Sequence, residues 1–148
     1  LMNYCETKPE ILQIESHPYL TQEKLIRLAK DYGLEVTAFS PLGSISYEEL
    51  GGAEESESIL KNKIVQSISK DIGITPAQLI LGWGLNRGTS IVVKSTNEIR
   101  MKENLAASRI KLQQSIIDKI SALNVNKRYN DPGIFCEDAF NTFFPIYE

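Results

Sequence analysis

Three strand-like segments separated by helix-like segments constrain the fold of this chain more than any other feature. The segments "ILQIES" (11–16), "LEVTAFS" (34–40) and "SIVVKS" (90–95) are rich in apolar and β-branched residues, which favour strands. Consecutive strands joined through helices are parallel and connected by crossovers. The sequence therefore predicts an α/β fold with a parallel sheet. The third segment is a continuous aliphatic run, which is typical of a strand buried on both faces.

Helix signals fill the intervals between these strands. A helical pattern begins at Thr21 and stops at Gly33. A later pattern places four apolar side chains on one side of a helix: Leu60, Ile64, Ile68 and Ile72. The stretch "TPAQ" (75–78) combines an N-cap, a Pro at the first helical position and a Gln placed for a capping box. Two further helices are predicted over 97–106 and 113–123.

Composition limits the possible functions. The chain has 148 residues, a net charge of −3 and a pI near 5.3. This size fits one domain, and the acidic balance argues against nucleic-acid and membrane-surface partners. No apolar run approaches the ~20 residues that span a bilayer. Cys5 and Cys136 lie far apart without metal-ligand spacing, so we expect reduced thiols, a cytoplasmic location and no metal site.

Polar and cationic side chains follow the third strand where a helix is predicted to begin, in "KSTNEIR" (94–100). Ligands of parallel α/β proteins bind at the carboxyl ends of strands, where the next helix begins and attracts anions. The segment offers the ammonium of Lys94, the hydroxyl donors of Ser95 and Thr96, and the guanidinium of Arg100. A guanidinium can bind a phosphate through two parallel hydrogen bonds. Asn104, one turn further, suits an adenine edge. The alternative is a plain helix start, with Thr96 as the N-cap and solvated cations.

The first residues, "LMNYCETKPE", resemble the end of a helix followed by a loop. They contain neither a basic region nor an apolar stretch of the kind found in signal peptides. Three strands alone form a small sheet with two bare edges, whereas a complete eight-stranded barrel needs ~250 residues. We therefore expect part of a longer barrel rather than an open three-layer domain.

Two long stretches keep the motif spacing of one protein family. They are "QIESHPYLTQEKLIRLAKDYGLEVTAFSPLGS" and "TPAQLILGWGLNRGTSIVVKSTNEIRMKENLAA". The chain resembles, from Pro9 to Pro132, the carboxyl-terminal half of the aldo-keto reductase superfamily, and "KRYNDP" is similar to the xylose and aldose reductase branch. The resemblance implies strands six to eight of a (β/α)₈ TIM barrel. Residues 1–148 then form one partial domain, with 125–148 as the substrate-loop tail.

The resemblance also implies NADPH as the cofactor and assigns residues to it. Gln13 corresponds to the residue that binds the nicotinamide carboxamide. Phe39 replaces the usual Tyr that stacks on the ring, which needs only a flat face. The loop along the pyrophosphate corresponds to Ser40, Leu42 and Ser44. The site of the 2′-phosphate and adenine corresponds to Lys94, Ser95, Thr96, Asn97, Arg100, Glu103 and Asn104. Two cations around an extra dianion favour NADPH over NADH.

By the same resemblance, the protein reduces aldehyde or aldose carbonyls to alcohols. The catalytic Tyr, Lys, Asp and His of the family belong to the first half of the barrel, and no residue here matches them. No catalytic residue is assigned, and we expect the segment alone to be inactive. His17, the single His, corresponds to a loop residue held by hydrogen bonds. Asn130, in the tail, is the candidate for contacting a sugar or polyol hydroxyl.

Two other functions stay open at this point. One is a non-catalytic half-barrel, or a structural or regulatory relative, that binds nucleotide or a protein partner. The other is an unrelated open α/β domain that binds a phosphorylated ligand. An upstream segment carrying the Asp, Tyr, Lys and His separates the enzyme from the non-catalytic relative. For the complete enzyme we expect a monomer or dimer.

Overall fold

A parallel three-stranded sheet organises the computed structural model, which describes residues 1–48, 52–142 and 147. Its strands lie side by side in chain order: β1 (Ile11–Glu15), β2 (Glu35–Phe39) and β3 (Ser90–Ile91). The α-helices of this described part are α1 (Glu23–Asp31), α2 (Ile45–Glu48), α3 (Lys63–Ile72), α4 (Pro76–Asn86), α5 (Glu98–Ala106), α6 (Gln114–Ser121) and α7 (Pro132–Phe140). The element order and the parallel pairing confirm the predicted α/β class.

The sheet is covered on one face. Gln13 pairs with Thr37, and Thr37 pairs with Ser90, which sets the register of all three strands. Because side chains alternate along a strand, Ile14 and Val36 point to the same side, where they pack against α1. The opposite side of β1 and β2 is open, and Ile11 at its border is 61% exposed.

A second apolar core lies around α4, whose buried side chains include Leu79, Ile80 and Trp83. Side chains from α3, α6 and a short 3₁₀ turn complete it: Ile59, Val65, Ile117 and Ile120. The indole Nε1 of Trp83 donates a 3.0 Å hydrogen bond to Ser121 Oγ, so the buried N–H has a partner. This core holds α4 beside β3 and places the start of α5 at the end of the sheet.

One expectation about burial was wrong. The third strand contains only Ser90–Ile91 and is not buried on both faces, since Val92 is 52% exposed. Among the described residues β3 pairs only with β2, so its other edge lies at the border of the sheet. In α3 the buried residues are Val65 and Ser69; of the four apolar residues predicted to share one side, Leu60 and Ile68 pack against the core, whereas Ile64 and Ile72 are exposed. Residues spaced four apart are rotated by about 40° from one to the next around a helix with 3.6 residues per turn. A row of such residues therefore does not stay on one face of the helix.

The long polar loop and the tail contain short elements. The loop at 43–58 includes α2 and a 3₁₀ turn at Glu55–Glu57, and residues 49–51 lie outside the described part. The predicted tail 125–148 contains α7, which begins with Asp131 as its side-chain cap. Residues 143–146 and 148 of the tail also lie outside the described part.

Candidate functional site

A cleft of about 510 Å³ lies where the end of the sheet meets the start of α5. Its walls come from segments far apart in the chain: the loop after β2, the 3₁₀ turns, the start of α4, and α5. Six residues predicted from the sequence to bind a cofactor are on these walls: Leu42, Lys94, Ser95, Arg100, Glu103 and Asn104. Lys94 and Arg100 therefore face one common space.

A smaller cavity of about 200 Å³ continues the cleft toward the sheet. Phe39 and Ser40, at the end of β2, are on its wall. The two spaces share Leu42, Ile45 and Lys94, so together they form one groove from β2 to α5. We call this the β2–α5 groove.

Some charged side chains along the groove form ion pairs with each other, and others do not. Lys61 and Glu55 form an exposed ion pair with each other, and the Glu48 carboxylate accepts a hydrogen bond from Ser44. Within the described part of the chain, neither Lys94 nor Arg100 makes a salt bridge. Glu48 and Glu103 on the same walls also make no salt bridge within that part, so an anion in the groove meets Lys94 and Arg100 with these carboxylates nearby.

The first turn of α5 is capped by Asn97. Its Oδ1 accepts a 3.0 Å hydrogen bond from the Arg100 N–H, and Ser95 Oγ accepts one of 3.2 Å from the Asn97 N–H. The alternative was wrong in naming Thr96 as the N-cap, because the helix begins one residue later, but Lys94 and Arg100 are solvent-exposed as that alternative expected. Neither Thr96 nor Asn97 is on the walls of the groove.

Two other predicted cofactor residues also lie off the groove. Ser44 is fully buried, and its hydroxyl donates to Glu48 Oε1 at 3.0 Å. Gln13 is exposed in the middle of β1, on the open sheet side that also carries Phe39. The structure thus brings eight of the predicted side chains together and places four elsewhere. The roles of all twelve stay predictions.

A buried carboxylate, which the sequence reasoning missed, lies beside this region. Glu15 is 1% exposed at the end of β1. Its Oε1 accepts from His17 Nε2 at 3.1 Å and from the Tyr129 N–H at 2.8 Å, and Oε2 accepts from the Asn130 N–H at 3.1 Å. Burial raises the pKa of Glu15, but these hydrogen bonds outweigh burial and leave the pKa below its usual range. The available sequence signal was an acidic residue two positions before the single His.

Asn130 is connected to the groove through the hydroxyl of Tyr47. Its side-chain Nδ2 donates a 3.1 Å hydrogen bond to the hydroxyl of Tyr47, and that hydroxyl lies 2.9 Å from Ser40 Oγ. Burial and then the charge of Glu57 raise the pKa of Tyr129 beside it to about 12, so its phenol stays protonated near neutral pH.

Two features are absent from the described residues. No helix there combines the length and apolar character that a bilayer crossing requires. Clusters of three or more His, Cys, Asp or Glu side chains able to hold a metal ion are also absent from those residues.

Comparison with known proteins identifies the class of this chain. The model of the Aldo/keto reductase family matches residues 2–125. Because the match covers most of the sequence, the chain belongs to the aldo/keto reductase family, and the alternative of an unrelated open α/β domain is wrong.

Two curated relatives show which members of the family this chain is similar to. A probable NAD(P)H-dependent D-xylose reductase, xyl1, of Aspergillus terreus is 41% identical over 149 residues, which cover 99% of this chain and 45% of that protein. The NAD(P)H-dependent D-xylose reductase xyl1 of Aspergillus niger is 41% identical over 134 residues, covering 89% of this chain and 42% of the relative. The chain thus spans somewhat less than half the length of these curated relatives.

A solved structure supports the fold. The crystal structure of MGS-M4, an aldo-keto reductase enzyme from a Medee basin deep-sea metagenome library, matches with a TM-score of 0.75 and 22% identity. The match covers 86% of this chain and 44% of that one. The predicted fold is thereby confirmed: the sheet and its helices form the carboxyl-terminal part of a (β/α)₈ barrel.

Proposed function

We propose that this chain provides most of the NADPH-binding site of an aldo/keto reductase that reduces aldehyde or aldose carbonyls to alcohols. The observation that carries the proposal is the β2–α5 groove, in which Lys94 and Arg100 line the same wall as the polar Ser95 and Asn104. Its other end reaches Phe39 at the carboxyl end of β2. This is the edge of a parallel sheet at which ligands bind.

The residues of the groove suit each part of the cofactor. Lys94 and Arg100 supply charge-assisted hydrogen bonds for the 2′-phosphate, and Ser95 adds a hydroxyl donor. Asn104 and Glu103, one turn along α5, offer amide and carboxylate groups to an adenine edge. Ser40 and Phe39 lie toward the pyrophosphate and nicotinamide. When bound, NADPH supplies the hydride for the carbonyl carbon.

The preference for NADPH over NADH follows from charge. The two cofactors differ by a phosphate that carries up to two negative charges, and the groove offers two cations without salt-bridge partners among the described residues. The xyl1 relatives are named NAD(P)H-dependent, which is compatible with either cofactor. The two cations on the groove walls support NADPH as the proposed cofactor.

The substrate proposal depends on the relatives and on Asn130. Two relatives about 41% identical to this chain are named as D-xylose reductases, so we propose an aldose with a similar arrangement of hydroxyls. Asn130 is half-buried, with its Nδ2 directed to Tyr47, which leaves its carbonyl Oδ1 to accept from a sugar hydroxyl. We assign no catalytic residue in this chain.

Charge removal at the groove tests the cofactor assignment. We expect Lys94→Met or Arg100→Leu to weaken NADPH binding by about 1–3 kcal/mol, the size of a hydrogen bond to a charged group. NADH affinity should stay nearly constant because NADH lacks the 2′-phosphate. Isothermal titration of the purified chain with both cofactors, and with adenosine 2′,5′-bisphosphate, measures the difference.

The matched control is Lys102→Met on the same helix. Lys102 is exposed and paired with Glu98, outside the groove, so its loss should leave NADPH binding unchanged. Equal losses for NADPH and NADH contradict the 2′-phosphate assignment. Failure of the unaltered chain to bind either cofactor contradicts the cofactor proposal as a whole for this chain.

A further inference from the structure

The hydroxyl of Tyr47 lies between two side chains that the sequence assigned to different ligands. It is 2.9 Å from Ser40 Oγ on the wall of the groove and 3.1 Å from Asn130 Nδ2 in the carboxyl-terminal segment. The side chain is 6% exposed, and its ring stacks on Tyr129 with centroids 5.9 Å apart. Packing therefore fixes the position of this hydroxyl independently of either partner.

The direction of these two hydrogen bonds follows from the chemistry of the groups. An amide NH₂ only donates, so the Tyr47 oxygen accepts from Asn130. The single Tyr47 proton is then available for Ser40 Oγ. In this arrangement the Ser40 hydroxyl can donate its own proton. A phosphate oxygen accepts hydrogen bonds and therefore requires such a donor. Asn130 keeps its carbonyl oxygen as an acceptor, the polarity that a sugar hydroxyl requires.

The backbone of Ser40 has a strained conformation, so the hydrogen bond from Tyr47 helps to hold this residue in place. Ser40 has φ 48°, in the left-handed region that non-glycine residues adopt at a cost of roughly 1 kcal/mol. Its carbonyl accepts from the Gly43 N–H at 2.9 Å, which closes the turn after β2. The Tyr47 hydroxyl holds the side chain of the same residue. Ser40 is therefore constrained at both its backbone and its hydroxyl.

The other partner is anchored separately. The Asn130 N–H donates to the buried Glu15 carboxylate at 3.1 Å, so the backbone of the carboxyl-terminal segment is fixed to the end of β1. Only the orientation of the Asn130 amide is left to Tyr47. One phenol thus orients two side chains whose backbones are already held by β1 and by the turn after β2.

We propose that Tyr47 is a positioning residue that sets the hydrogen-bond polarity of Ser40 and Asn130. It thereby couples the pyrophosphate and nicotinamide end of the cofactor groove to the residue that meets the sugar. The identity of the two ligands rests on the proposed function, whereas the hydrogen-bond arrangement does not. Tyr47 itself touches neither ligand and transfers no proton.

The test compares Tyr47→Phe with Tyr19→Phe. Each substitution removes one phenol hydroxyl. In the control, the hydroxyl that is lost also has a hydrogen bond, because Tyr19 accepts from Asn62 Nδ2 at 3.0 Å. Loss of one oriented donor corresponds to about a fivefold rise in the NADPH dissociation constant for Tyr47→Phe. Adenosine 2′-monophosphate, which lacks both phosphates of the pyrophosphate and the nicotinamide, should bind to Tyr47→Phe as well as to the unaltered chain. Tyr19→Phe should change neither constant.

A double substitution distinguishes positioning from a structural role. Because Tyr47 acts on the pyrophosphate through Ser40, Tyr47→Phe combined with Ser40→Ala should bind NADPH no more weakly than Ser40→Ala alone. Additive losses overturn the proposal, as does an unchanged NADPH constant in Tyr47→Phe. A parallel loss of affinity for adenosine 2′-monophosphate also overturns it, because that result indicates general damage to the groove.

A measurement without cofactor separates this inference from the proposed function. We expect the NMR signals of the Asn130 side-chain amide and the Ser40 backbone amide to shift in Tyr47→Phe and to stay in place in Tyr19→Phe. If the chain binds no NADPH, the proposed function fails while these shifts still decide whether the hydrogen-bond arrangement exists. Unmoved signals in Tyr47→Phe overturn the inference even when NADPH binds.

Discussion

A single buried carboxylate fastens two distant parts of the chain together. Glu15, at the end of β1, accepts hydrogen bonds from backbone groups of Tyr129 and Asn130, more than a hundred residues later. His17 donates to the same carboxylate, and Arg128 lies 3.5 Å from it. A charge removed from water is tolerated only when such partners replace its hydration. The position of Asn130 therefore depends on Glu15.

Replacement of this carboxylate should cost stability in a pH-dependent manner. We expect Glu15→Gln to lower the free energy of unfolding by roughly 3 kcal/mol at pH 7, the scale for breaking a buried charged pair. Because the folded pKa of Glu15 is below the usual 4.5, the ionised carboxylate stabilises the folded state above that value. This contribution is lost as the pH falls through the lowered pKa, so the difference between the two proteins should shrink in acid.

Urea unfolding at a series of pH values measures this difference. The control is Glu35→Gln, which removes an exposed carboxylate from β2 and should change the free energy of unfolding little at any pH. A loss that is the same at low and neutral pH contradicts a role for the ionised form of Glu15.

At the scale of elements, α4 shows how local signals and burial cooperate. Its N-terminus has a complete capping box: Thr75 Oγ1 accepts from the Gln78 N–H at 3.2 Å, and Gln78 Oε1 accepts from the Thr75 N–H at 3.1 Å. The helix is apolar around most of its circumference, as expected for a helix packed inside a core. Its first turn also forms part of the groove wall.

Removal of this cap should destabilise the whole core. We expect Thr75→Ala to lower the free energy of unfolding by about 1 kcal/mol, whereas Thr75→Ser keeps the accepting hydroxyl and restores most of the loss. Thr96→Ala is the matched control, because Asn97 and not Thr96 caps α5. Chemical unfolding followed by circular dichroism measures all three variants, and equal losses in Thr75→Ala and Thr96→Ala contradict the assignment of the cap.

At the scale of the whole molecule, the open side of the sheet is the dominant feature. One face of β1 and β2 packs against α1, while Ile11 on the other side is largely exposed. Within the described residues, β1 and β3 each have one edge without a strand partner. Exposed strand edges with apolar neighbours offer hydrogen bonds and surface for pairing with other chains.

We expect the isolated chain to self-associate through this side. Its apparent mass should rise with concentration above the monomer value of 16.6 kDa in sedimentation velocity. Ile11→Lys places a charge on the open side and should shift the distribution toward monomer. Leu28→Lys changes an exposed apolar residue of α1 and serves as the control. If both variants associate like the parent chain, association does not involve the open side.

Local sequence signals were sufficient for most elements. The strands at 11–16 and 34–40, the capping box at Thr75 and the helix after Asn97 occur close to their predicted positions. These features depend on interactions within a few residues. The length and burial of β3 depend on neighbouring elements, and there the sequence reasoning failed. Eight of the twelve predicted cofactor residues share the groove because they follow strands of one parallel sheet.

The sequence by itself determined the class of fold, the family and the set of polar residues at the strand ends, because periodicity, capping and motif spacing are local properties. Only the tertiary structure decided which of those residues face a common space. It also revealed the contacts of Glu15 and Tyr47, whose partners are as far as 115 residues away. Such contacts arise when packing brings distant segments together, and no local pattern in the chain encodes that distance.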